Sequence, residues 1–157
     1  MSFVSDQSLI NKLSTHFAAI SGITYAATYA NNPDSLPNAR LPCVMFLPMA
    51  FEATQKAHPK TYSSVVDIRA ILFVKSMESS GAKLKFIEND AIPFGALIRN
   101  KFADKTVVSD FLSLGLTRAY EFAGEYGAGG PYLTFNGVAY IGWVVSFKFK
   151  DIDSCQS

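Results

Sequence analysis

Apolar residues set a helical rhythm at the start of the chain. Leu9, Leu13, Phe17 and Ile20 fall on one side of a helix that Ser5 or Asp6 can cap and Ser21-Gly22 can end. A Tyr- and Thr-rich segment, Ile23 to Tyr29, reads as a strand, and Asn31 to Pro42 as a loop punctuated by Pro33, Pro37 and Pro42. Cys43 to Leu47 reads as a short buried strand. Met49 to Thr61, with its polar run Glu52 to Lys60, reads as a hairpin tip or protruding loop.

The pattern then switches to a period of two. From Tyr62 to Lys75 one face carries Tyr62, Ser64, Val66, Ile68, Ala70, Leu72 and Val74. The other face begins polar, with Ser63, Asp67 and Arg69, and ends apolar at Ile71 and Phe73. A strand covered on one side stays polar on the other, so the far end of this one needs cover from a loop or a neighbouring subunit. A second helix is predicted from Ser79 or Ser80, with Leu84, Ile87, Ala91, Phe94, Ile98 and Phe102 as its stripe. Pro93 should kink or split it near Asn89.

Leu114 to Phe122 reads as another strand, and Gly124 to Pro131 as a flexible loop between strands. Asn136-Gly137 is a strong hairpin-turn signal joining Tyr132–Phe135 to the best-patterned strand, Val138 to Lys150. The tail after Asp151 is polar and expected to fray, leaving an ordered core of about residues 5–151. Helix, strands, helix, strands in that order predict one α+β domain over residues 1–157. Its single antiparallel or mixed sheet has long strand hairpins and carries the two main helices on one face.

Composition narrows what such a domain does. At 157 residues the chain can bury roughly 70% of its unfolded surface, so it needs neither metal nor disulfide to fold. Hydrophobic residues make up 49% and charged ones only 17%, more apolar surface than an isolated domain hides easily, which points to subunit contacts. Net charge is +1 with no Lys/Arg run, which argues against non-specific nucleic-acid binding. A lumen that lets DNA pass without gripping it fits the same balance. Cys43 lies in an apolar run and Cys155 in a polar tail, so no disulfide is expected. Without a signal-peptide pattern or a run of about 18 apolar residues, the expectation is synthesis in the cytoplasm and no membrane span.

Candidate chemistry is sparse. His16 sits beside the helix stripe and His58 in the polar loop, and neither stands in a recognisable triad or Cys-His pattern. Glu88 and Asp90 are two apart on a predicted helix and so point different ways, and Asp151 and Asp153 lie in the tail, so no metal site is expected. Gly124-Glu125-Tyr126-Gly127-Ala128-Gly129-Gly130 lacks the Gly-Lys-Ser/Thr of a phosphate loop and runs into Pro131. No cofactor is expected. Tyr25, Tyr29, Tyr126, Tyr132 and Tyr140 are predicted at surface positions, where tyrosine buries area at interfaces with low entropic cost.

The first helix and strand, then Pro33-Asp34-Ser35-Leu36-Pro37-Asn38-Ala39-Arg40-Leu41-Pro42 running into an apolar strand, resemble the tail terminator (tail-completion) proteins of long-tailed bacteriophages. The long strand, the helix with Leu84, Ile87, Ala91 and Phe94, and the closing strand from Asn136-Gly137-Val138-Ala139-Tyr140-Ile141-Gly142 onward are similar too. Pro93 and the Gly124–Pro131 segment depart from the pattern.

The resemblance implies a structural protein of the virion tail or neck, with no catalytic centre. It would form a homo-hexameric ring that caps the tail tube and meets the head-side connector. Its partners would be its own copies, the tail tube protein and the connector, with DNA passing through the lumen. Such a ring needs two different complementary patches per subunit. The candidates are the apolar end of the long strand, Ile71 and Phe73, together with Arg40, Asp67, Arg69, Arg118, Tyr126 and Tyr132. On this reading Ile71→Asp or Phe73→Asp breaks the assembly and leaves a folded monomer. Competing readings are another head-tail connector, neck or tail tube protein, a small enzyme or ligand-binding domain with a polar pocket near His16 or His58, and a nucleic-acid-binding module.

Overall fold

A computed structural model describes residues 3–26, 40–56, 61–77 and 89–154. Helix α1 spans Asp6–Ala18, and the Ser5 side chain accepts a hydrogen bond from the Ser8 amide at 3.2 Å, satisfying an amide that the first turn leaves unpaired. A short strand β1 (Tyr25–Ala26) leads to β2 (Cys43–Lys56) and β3 (Thr61–Ser76). Then come α2 (Pro93–Phe102), α3 (Lys105–Leu112), β4 (Glu121–Ala128), β5 (Thr134–Phe135) and β6 (Val138–Ser154).

The strands form one mixed sheet in the order β1-β2-β3-β6-β4, with β5 paired to β6. Only β1 and β2 run parallel. The fold is therefore α+β with long strand hairpins and its helices packed on the sheet. Leu9, Leu13 and Phe17 of α1, Phe94, Ile98 and Phe102 of α2, and Val107 and Phe111 of α3 share one core. Its sheet side is made by the predicted alternating residues, among them Phe46, Ile68, Leu72, Phe147 and Phe149. Tyr120 closes this core, its hydroxyl donating to the Phe102 carbonyl at 2.6 Å, and burial raises its pKa.

Several sequence expectations change here. The strand from Cys43 does not stop at Leu47. It continues through a bulge between Pro48 and Ala50, so Met49–Lys56, read as a hairpin tip or protruding loop, is the arm of a hairpin, and residues 57–60 of that reading lie outside the described residues. The bulge tolerates a proline in the strand and inverts which side each later residue faces. Leu114 to Phe122 is not a strand: after α3, which the sequence reading missed, the chain is irregular until Glu121. Strand β4 then takes up most of the glycine-rich stretch read as a loop. β6 runs past Asp151 to Ser154, where a frayed tail was expected. The regular helical hydrogen bonding is interrupted at Ile92, beside Pro93 with its missing N–H, although Ile92 keeps helical φ and ψ (−57° and −42°). Residues 78–88, including the predicted start of that helix, lie outside the described residues. The Asn136-Gly137 turn is present, with both residues at positive φ (51° and 78°).

Candidate interaction site

The sheet face away from the helices is divided. At one end Cys43, Met45, Ile71 and Phe73 are buried beneath Leu133 and Tyr140, with Tyr132, Phe135 and Val138 packed around them. Phe73 meets the Tyr140 ring edge-on at 5.3 Å and the Phe135 ring at 6.1 Å. The chain's own β4–β6 connection is the cover that the sequence pattern demanded. Ile71 and Phe73, 3% and 2% exposed, are thus part of the monomer's core and not an open subunit patch. Tyr140, expected at the surface, is buried with them. Burial pushes the Cys43 thiol up to about 12, against the opposing pull of Arg40. This cysteine lies across the sheet from α1 and His16.

The other end of that face is polar. Arg69 stacks over the Tyr132 ring, 4.8 Å from its centre, where the covered and open halves meet. Asp67 accepts a hydrogen bond from the Ser146 hydroxyl at 2.9 Å. These contacts bring Asp67, Arg69 and Tyr132 together with Ile71 and Phe73 on one face. The remaining candidates lie elsewhere. Arg40 covers the Tyr25 ring at 5.1 Å beside β1, and Arg118 is exposed on the connection into β4. Tyr126, 37% exposed, lies on the helix side of β4 with its ring 5.4 Å from that of Trp143. Tyr29 and His58 lie outside the described residues.

His16 turns to Asp110 of α3, Nε2 to Oδ2 at 2.8 Å, and Lys12 reaches the other carboxylate oxygen at 2.6 Å. Both hydrogen bonds, Lys12 first, lower the Asp110 pKa. The cluster joins α1 to α3. No group of three metal-ligating side chains occurs among the described residues, and no helix among them is long and apolar enough to cross a membrane.

Exposed apolar surface occurs at both edges of the sheet, mostly at residues the sequence reading did not single out. On β2, every residue from Pro48 to Gln55 is exposed, and Phe51 is 74% exposed. Among the described residues nothing pairs with this strand's outer edge beyond Val44. At the opposite edge, α2 and β4 enclose an apolar cleft of about 490 Å³. Ile92, Pro93, Ala96 and Arg99 form one wall, Phe122 and Gly124 the other, and Trp143 and Val145 the floor. The Trp143 indole N–H donates to the Ala91 carbonyl at 2.8 Å, and Gly95 lets the helix lie directly on the ring, since a Cβ there would come within 2.6 Å of it. Two signals were available in the sequence: Met49-Ala50-Phe51 is apolar at the start of a polar stretch, and Gly124 interrupts an otherwise aromatic strand face.

No model of a known protein family matches this chain, and no curated protein matches it either.

Proposed function

We propose that this chain is a structural, self-assembling protein of the long-tailed phage virion, a tail terminator. Its ring would cap the tail tube and join it to the head-side connector. The observation that carries this reading is the sheet's pair of edges, which beyond Val44 on β2 and along β4 have no strand partner among the described residues. β2 and β4 lie on opposite sides of the sheet, and each bears exposed apolar surface of a different shape: a projecting arm at one edge, a cleft at the other. Two unlike patches on opposite sides are what head-to-tail association into a closed ring requires. The resemblance of residues 33–42 and of the closing strand to tail terminators supplies the place in the virion and the expectation of six copies.

Light scattering and negative-stain images test the assembly, and addition to polymerising tail tube protein tests the role. The expected result is annular particles that halt tube growth. A lone monomer at high concentration without effect on tubes would overturn the reading. Open tubes formed by the chain itself would favour a tail tube subunit.

A further inference from the structure

We propose that Phe51 of one copy seats in the α2–β4 cleft of the next copy. This inference deepens the function proposed above and rests on it. Phe51 is 74% exposed although it stands in the middle of a paired strand, opposite Val66. A ring held out on ordered backbone loses little entropy on docking, the usual condition for an interface anchor.

The cleft has the chemistry to receive an aromatic ring. Trp143 contributes its indole to the floor, and Arg99 stands at the rim with its Nε directed to the Gly95 carbonyl at 3.4 Å and no carboxylate partner among the described residues. Gly124 adds an independent sign. A Cβ there would sit at ordinary contact distance, 3.6 Å from Val145 and 3.7 Å from Trp143, so the chain's own packing does not require glycine. Without a side chain, Gly124 leaves this wall of the cleft open to the close approach of another group.

Position agrees. Register with Val66 puts Phe51 on the helix side of the sheet, the side on which the cleft also opens. A rotation that sets the β4 edge of one copy beside the β2 edge of the next keeps the helix sides together and brings ring and cleft to the same side. Strand β4 carries two exposed carboxylates, Glu121 and Glu125, and no cation, so two β4 edges would repel one another and a like pair is disfavoured.

Sedimentation of wild type, Phe51→Asp and Gly124→Leu, each alone, and of the two variants mixed equally, tests this. Each variant alone should lose association by roughly ten- to a hundredfold while keeping wild-type circular dichroism. The mixture should recover a dimer and no ring, because one intact Phe51 meets one intact cleft and the remaining ends are both blocked. If either variant loses its fold, Phe51→Ser or Gly124→Val replaces it under the same criterion. A variant that assembles like wild type, or a mixture that stays monomeric, overturns the Phe51 contact while a wild-type ring leaves the proposed function standing. A monomeric wild type overturns both.

Discussion

Asp110 is a half-buried carboxylate held by two groups of another helix, Lys12 at 2.6 Å and His16 at 2.8 Å. Its pKa is lower folded than unfolded. The pair therefore stabilises the fold above the ordinary aspartate range, and that contribution disappears as pH falls through the folded value. With the Asp110 side chain 37% exposed, solvent screening holds the effect to about 1 kcal/mol or less. Asp110→Asn should lower the urea midpoint at neutral pH and match wild type in acid. A gap that persists unchanged in acid would assign the loss to packing. Single residues of this kind were only partly legible: His16 could be placed beside the apolar stripe, but its partner lies 94 positions further along. The same holds for Arg69, whose covering of Tyr132 no local pattern announces.

Elements show where local rules are overridden. The bulge at Pro48–Ala50 lets a strand pass through a proline and turns Phe51 to the helix side, so the alternation read from Cys43 onward breaks there. The eight-residue helix α3 is too short for periodicity to separate it from irregular chain, though Asp104 caps it by accepting from the Thr106 amide at 2.8 Å. The segment between β4 and β6 acts as a roof, with Leu133 only 2% exposed over Phe73 and Ile71. Gly127 makes room for it, since a Cβ there would press on Leu133 at 3.2 Å, and Gly142 lets β6 lie close to β3, since a Cβ there would drive into the Leu72 carbonyl. Leu133→Ala should destabilise the monomer by about 2–5 kcal/mol, measured by urea unfolding. Phe73→Asp, expected from the sequence to yield a folded monomer, should instead unfold it, because the charge would be buried without a partner. A soluble, native-like Phe73→Asp monomer would remove the roof from this account.

For the whole molecule, association and stability are linked. If copies join through their sheet edges, thermal stability rises with protein concentration, by about 2.7 kcal/mol or roughly 5–10 °C in Tm at a hundredfold excess over the dissociation constant. A Tm that is independent of concentration while rings are visible would place the association on the unfolded side as well. The α+β class, the long β3 and β6 strands, the Asn136-Gly137 turn and the need to cover Ile71 and Phe73 all followed from the sequence by itself. Periodicity, turn chemistry and burial of apolar side chains act locally or along one strand, and a single chain displays them. What covers that face, where β2 ends, and which apolar residues stay bare were decided only by the tertiary structure. Those outcomes depend on which distant segments meet, and contacts between β4, β6 and the roof are set by packing in three dimensions.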